Sequence, residues 1–363
     1  MTALLTDGEA VSRPGWRGLV GRLRFVVSAA AGGALVWLAL PTATGAAWKQ
    51  LVPAAAHVHL GWLVVLLALW VAGLLAHTIT LTAAMPGLTH RRALLLSLTG
   101  SAVANVLPVG GAAGIALNYR MARRWGHTAT SISTYTLVTN VWDVLAKFLL
   151  PILALPALLL AASSAGGTVT YAVVIAALVM AVLIGIGTAT LASPSAAART
   201  GSVADRVLGR WLANGACREA LVNLQSDTSR VVRTGWRRLS VGMLLYTSLL
   251  FVLLLACLSA TGAGLSLIAV LAGFAVERLL TLAGLTPGGT GVVEVGLAST
   301  LLAFPGAPVG IALGVLLYRA ITFGLEIPVG GLALAGWCWT QRRATRTAGV
   351  TPTDPARVSR SVA

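Results

Sequence analysis

Seven ionisable side chains stand inside otherwise apolar stretches of this sequence: Asp143, Lys147, Glu277, Arg278, Glu294, Arg319 and Glu326. Leaving all of them in lipid would cost about 20 kcal/mol at ~2.5 to 3.5 kcal/mol each, so they must pair or line a wet cavity. Asp143 and Lys147 are four apart, the spacing of a helical ion pair. Arg319 and Glu326, seven apart, fall on one helical face. Glu277 and Arg278 are neighbours and do not face each other on a helix, so each is expected to find a partner elsewhere. Glu294 follows Gly291 in the expected first turn of a short helix, where a carboxylate complements the helix dipole.

Glycines accompany these charges. Gly110 and Gly111 follow Pro108, and Gly288, Gly289 and Gly291 follow Pro287. The prolines break helices, and glycine-rich helix starts inside a membrane expose backbone N–H groups that favour an anion such as phosphate. Arg120 and Arg319 would add guanidinium groups, which match phosphate in a bidentate manner. Asp143, Glu277, Glu294 and Glu326 would orient the arginines or relay protons.

Other chemistry is excluded by spacing. The two lysines, Lys49 and Lys147, follow Trp48 and Ala146, so there is no nucleotide-binding phosphate loop. Neither a zinc-protease nor a serine-hydrolase motif occurs. Cys217, Cys257 and Cys338 lack metal-type spacing, so no metal and no cofactor are expected. His57 and His59 read as interface residues of an outer loop.

The elements that position these residues are set by composition. Only 10% of the 363 residues are charged and 57% are hydrophobic. A soluble domain carries roughly 25% charged residues. The net charge of +16 would suggest nucleic acid in a soluble protein. Here, however, all but four of the 26 basic residues cluster beside apolar spans, at 13–24, 91–92, 120–124, 199–238, 342–346 and 357–360. The positive-inside rule assigns those segments, and both termini, to the cytoplasm of a cell membrane. The basic start before Phe25 also has the form of a signal peptide with a long basic region.

The fold expected is an all-α integral membrane protein. Full spans are predicted at 25–41, 60–84, 129–161, 168–192, 239–261 and 308–340, each long enough for a ~30 Å core. Two interrupted pairs lie between them, 92–106 with 111–124 and 267–285 with 289–303, broken around Pro108 and Pro287. Segments of ~15 residues reach only ~22 Å, so both pairs read as re-entrant hairpins. Arginine placement then makes the second set of four elements repeat the first in opposite orientation. Pro151 follows Pro108 by 43 residues and Pro328 follows Pro287 by 41, as an inverted repeat requires. The units are a cytoplasmic tail 1–24, repeat 1 at 25–161, repeat 2 at 162–340 and a disordered cytoplasmic tail 341–363. Within repeat 2, the basic cytoplasmic segment 193–238 places Val203, Val207, Leu208, Trp211 and Leu212 on one helical face. That face suits an anionic leaflet or a solvated linker.

The stretch Leu107-Pro-Val-Gly-Gly-Ala-Ala-Gly-Ile-Ala-Leu-Asn-Tyr-Arg120, then Asp143, then Leu285-Thr-Pro-Gly-Gly-Thr-Gly-Val-Val-Glu294 and Leu317-Tyr-Arg319 resembles the flippase-like family. That family is typified by the transmembrane part of lysylphosphatidylglycerol synthases, and the resemblance covers residues 25 to 340. Two family positions differ, with Ala112 after the Gly-Gly pair and Asn140 three residues before Asp143. The resemblance implies lipid translocation for some members, and aminoacyl transfer would need a large soluble domain beyond Thr340.

Three readings follow. The first is a lipid translocase, flippase or scramblase-like, moving an anionic phospholipid or polyprenyl-linked lipid across the cytoplasmic membrane without nucleic acid. Passive, proton-driven and potential-driven transport all fit it. The second is a non-transporting scaffold that recruits a lipid- or glycan-modifying enzyme through the basic segment. The third is an intramembrane lipid-modifying enzyme with Asp143 or Glu294 as base.

Overall fold

The structure, a computed structural model, describes residues 33–34, 36–42, 44–56, 58–107, 110–162, 193–208, 216–282 and 287–348, with isolated positions between 182 and 189. The tail 1–24, the expected span 168–192 except for a few positions, and Pro108 lie outside the described residues, and of the span 25–41 only the helical positions from 33 onward lie within them.

Every regular element among the described residues is helical. In chain order they are α1 (Trp48–Ala56), α2 (Leu60–Ala84), α3 (His90–Val106), α4 (Gly110–Arg124), α5 (Ala129–Ala162), α6 (Pro194–Leu208), α7 (Ala216–Ala260), α8 (Leu267–Leu280), α9 (Val292–Leu302), α10 (Pro308–Arg319) and α11 (Glu326–Ala348). A 3-10 turn, Pro287–Gly289, precedes α9, and a π-helical turn, Ala320–Gly324, joins α10 to α11. Among the described residues four stretches are long and apolar enough to cross a membrane: Leu60–Ala84, Ala129–Leu153, Val231–Ala260 and Pro308–Arg343.

Helix starts follow local chemistry. Thr89 caps α3 by accepting from the Arg92 N–H, and Ser266 caps α8 by accepting from the Ala269 N–H. His59, in the loop before α2, caps that helix, its Nδ1 accepting from the Gly61 N–H at 3.1 Å.

Helices α2 and α7 form the central pair. Thr80 Oγ1 donates to the Leu239 carbonyl at 3.2 Å, and a Cβ on Gly242 would lie 2.7 Å from the Thr80 nitrogen. Gly73 lies against Leu249 and Gly235 against Ala83, so partner numbers fall along α7 as they rise along α2, and the helices run antiparallel. Small residues let the backbones approach where lipid offers no hydrophobic drive for association. Around this pair the two halves of the chain use matching partners. Helix α2 packs on α3 and α5 as α7 packs on α8 and α10; α3 pairs with α4 as α8 pairs with α9; α4 meets α5 as α9 meets α10. The leading helix of each short pair also leans on the closing helix of the other half, α3 on α11 and α8 on α5.

Three expected boundaries need correction. The helix expected to run to 285 ends at Leu280, because the stretch up to Gly291 holds Gly288, Gly289 and Gly291 at positive φ, which a helix cannot accommodate. The tail expected from 341 is helical to Ala348, as α11 simply continues past its apolar part. The basic segment is divided into α6 and the first turns of the 45-residue α7, and these pack together. Gly201 sits against the backbone of Arg218, whose N–H donates to Asp205 at 3.1 Å. Val203 is exposed as a leaflet-facing side requires, while Trp211 and Leu212 lie outside the described residues.

Gly242→Leu is expected to destabilise the protein by about 1–3 kcal/mol through overpacking of the central pair. Thermal unfolding in detergent measures it, and an unchanged midpoint would show that the α2–α7 contact does not govern stability.

Candidate functional site

The charged residues that the sequence scatters over five helices meet in one place. Gly291, at φ 89°, starts α9, and its N–H donates to Glu294 Oε2 at 2.6 Å. The other carboxylate oxygen accepts from Arg319 Nε at 2.8 Å, and Arg319 Nη2 donates to the Gly288 carbonyl at 2.8 Å. The guanidinium lies 5.1 Å from the centre of the Phe323 ring. Glu294 and Arg319 are both buried, so this pair ties the second helix break to the last span from inside. Gly288 is required twice over: its φ is 60°, and a side chain there would run into the Phe323 ring.

Glu277 and Arg278, expected to seek separate partners, pair with each other. The long arginine stem bends back around α8 so that Nε and Nη2 both reach the buried Glu277 carboxylate. Arg278 Nη2 also donates to the Tyr318 hydroxyl at 3.3 Å. Asp143 and Lys147 form the expected i, i+4 pair at 2.7 Å.

The expectation that Arg319 and Glu326 share a face holds only loosely. Both line the same cavity, but the π-helical turn between them adds a residue to the turn and shifts the register. That turn is closed by the Leu325 N–H donating to the Ala320 carbonyl at 2.7 Å. Arg319 turns to Glu294, whereas Glu326 Oε2 accepts from Asn105 Nδ2 at 3.5 Å. Glu326 is therefore the one acid of the cluster without a cation in contact among the described residues.

Two cavities open here. One, of about 280 Å³, is lined by Asn105, Lys147, Arg278, Arg319, Thr322 and Glu326. The other, of about 260 Å³, is lined by His77, Ser97, Asn118, Thr136, Thr139 and Asn140. Ser101, Asp143 and Tyr246 line both, so the two adjoin across a shared wall and together form a polar groove. The groove lies between the two broken pairs: α3 touches the turn Pro287–Gly289 and supplies Ser97, Ser101 and Asn105.

The other residues singled out from sequence divide. Gly111 lines the neutral cavity with Asn118 and Thr136, and Gly288 the one that holds the cations. Arg120 is exposed near the end of α4 and lines neither. Gly110 and Gly114 are buried because α4 crosses α3 closely; a Cβ on Gly114 would stand 2.6 Å from the Gly100 carbonyl oxygen. Gly289 holds φ 72° in the turn that Pro287 opens. Of the expected phosphate donors of the second break, the Gly291 N–H is held by Glu294, while Gly288 presents its carbonyl to Arg319. What the cavity keeps free is on side chains: Nη1 of Arg278 and Nη1 of Arg319 carry no hydrogen bond among the described residues.

A helical membrane body that gathers paired charges around an internal polar groove defines a multi-pass membrane protein with a site inside its helices. Over residues 23–330 the chain matches the family of the lysylphosphatidylglycerol synthase TM region, and it belongs to that family. This makes it a membrane protein of a lipid-related class. No curated protein matches the chain.

Glu294→Ala, which strands a buried guanidinium, is expected to cost about 3–5 kcal/mol, and the double variant Glu294→Leu with Arg319→Met to cost clearly less. Detergent melting of wild type, both single variants and the double variant checks this; additive losses would show that the pair is not coupled.

Proposed function

We propose that the protein is a lipid translocase that passes the headgroup of an anionic phospholipid or polyprenyl-linked lipid through this groove, across the cytoplasmic membrane. The observation that carries the proposal is the groove itself. Two adjoining polar compartments lie among helices apolar enough to span a bilayer, with three cations along the wall of one of them. A cavity of this kind inside hydrocarbon is costly and is the usual mark of a substrate or ion path.

The short helices support a re-entrant arrangement. Helices α3, α4, α8 and α9 have 17, 15, 14 and 11 residues. At ~1.5 Å per residue they reach between ~16 and ~26 Å, less than the ~30 Å hydrocarbon core. The matching partner pattern of the two halves supports an inverted repeat, the architecture in which broken helices meet at the midplane around a substrate. The basic clusters support cytoplasmic termini.

In this reading the phosphate is met by the free N–H groups of Arg278 and Arg319 and by Lys147, a role the sequence suggests for Arg120 and Arg319. Glu277, Glu294 and Asp143 hold these cations in place, so no side chain has to reorganise when the phosphate arrives. Glu326, without a cation of its own, is placed to take up a proton or a counter-charge as the headgroup passes.

Proteoliposomes carrying tail-labelled phosphatidic acid, followed by an external quencher, test the function. Wild type is expected to make the inner-leaflet label accessible, and Arg278→Gln to slow this about tenfold or more while remaining monodisperse, the loss of one charge-assisted contact. Equal rates in wild type, variant and empty liposomes across several anionic lipids would overturn the proposal. A wild type that moves no lipid in liposomes, with function in cells lost only when the basic charges of 199–238 are removed, would point to the recruiting scaffold instead.

A further inference from the structure

The smaller compartment, of about 260 Å³, differs chemically from its charged neighbour, and the translocase reading gives its side chains no partner in the headgroup. Its polar walls are amide and hydroxyl groups, three of which donate to backbone carbonyls of their own helix. Thr136 Oγ1 donates to the Ile132 carbonyl at 2.9 Å, Thr139 Oγ1 to the Tyr135 carbonyl at 2.9 Å, and Asn140 Nδ2 to the Thr136 carbonyl at 2.6 Å. What these groups still present is acceptors, hydroxyl lone pairs and an amide oxygen, together with the N–H donors of Asn118, whose side chain makes no hydrogen bond among the described residues. Asn118 Oδ1 goes further, being a buried side-chain oxygen with no hydrogen-bond partner among the described residues. Its place is built: Gly100 makes room for it, since a Cβ there would stand 2.7 Å from Asn118 Nδ2. A buried polar atom without a partner calls for an explanation, and a ligand that engages the Asn118 amide would supply one.

We infer that this compartment receives a neutral, hydroxyl-rich ring, a sugar or cyclitol, attached to the phosphate that the cationic compartment holds. The inference rests on the translocase reading and names its substrate class. A phosphate is disfavoured in this compartment because no lysine or arginine lines it and the Asp143 carboxylate stands at the shared wall. Asp143 is the one carboxylate on this lining, and Lys147 offsets its charge. Four acceptors, on Asn118, Thr136, Thr139 and Asn140, suit several hydroxyls spread round a ring better than one compact cation. The volume suits a single ring, being just below the ~300–1,000 Å³ of small-ligand pockets. Tyr135 and Tyr246 add aromatic faces for the apolar side of such a ring. Tyr246 is fixed by stacking on His77 at 4.5 Å. The shared wall at Ser101 and Asp143 places ring and phosphate in adjacent spaces, as in a phosphodiester-linked headgroup.

Tail-labelled phosphatidylinositol, phosphatidic acid and phosphatidylethanolamine in proteoliposomes test the assignment, together with melting of the detergent-solubilised protein in short-chain forms of the same lipids. Wild type is expected to move phosphatidylinositol at least about tenfold faster than phosphatidic acid, the scale on which sites built to hydrogen-bond a hydroxyl discriminate being that large or larger. Asn118→Leu, and the near-isosteric Thr139→Val as a gentler second variant, are expected to bring the ratio close to one. Equal rates for phosphatidylinositol and phosphatidic acid in wild type, a preference for phosphatidylethanolamine, or a ratio unmoved by both variants would overturn the inference and leave the translocase reading standing. Transport of none of the lipids, with melting still raised selectively by phosphatidylinositol, would sink the translocase reading and keep the ring site.

Discussion

A guanidinium in the interior of a membrane protein must be met on nearly every side, and Arg319 is the position where this demand organises the chain. Glu294, the Gly288 carbonyl and the Phe323 ring surround it, each from a different local structure: a helix start, a glycine turn and a π-helical turn. The geometry of each follows from serving Arg319. The break after α8 must turn sharply enough to aim a carbonyl inward, which needs glycine at positive φ. The last span must rotate Arg319 toward α9 and the following residues toward α3, which a regular helix cannot do at that spacing. The pair gives little net stability over an apolar equivalent, but losing one member is costly.

The same requirement extends to the other charges and makes the groove. Arg278 and Lys147 are held by their own acids, so each cation enters the cavity wall already oriented. The groove is then polar without being strongly charged of one sign, with three cations against four acids among the seven residues. Such a lining favours passage over tight capture, since a headgroup exchanges contacts with fixed pairs and is not trapped by an uncompensated charge.

Much of this is legible in the sequence where the signal is length or composition. The edges of α3 and α4 and their break, the span at 60–84 and the Asp143–Lys147 pair follow from hydropathy and four-residue spacing. Legibility fails where backbone geometry departs from a regular helix. Nothing in Ala320–Gly324 announces a π-helical turn, so spacing alone puts Arg319 and Glu326 too simply on one face. The reach of an arginine stem, not the angle between neighbours, decides the Glu277–Arg278 pairing. The neutral compartment escapes a sequence reading because Ser, Thr and Asn are ordinary residues of membrane helices. A signal is present in Ser97, Ser101 and Asn105, spaced by four along α3, and in Thr136, Asn140, Asp143 and Lys147 along α5.

The central claim is that water and headgroups reach a polar groove among the membrane helices. Single cysteines at Ser101, on the wall shared by both compartments, and at Leu66, fully buried in the apolar core, in a cysteine-free background test it in sealed vesicles. A membrane-impermeant thiol reagent is predicted to modify the Ser101→Cys protein readily and to leave the Leu66→Cys protein untouched. Equal protection of both cysteines would mean that the charges are closed in a dry interior, and the account would fail.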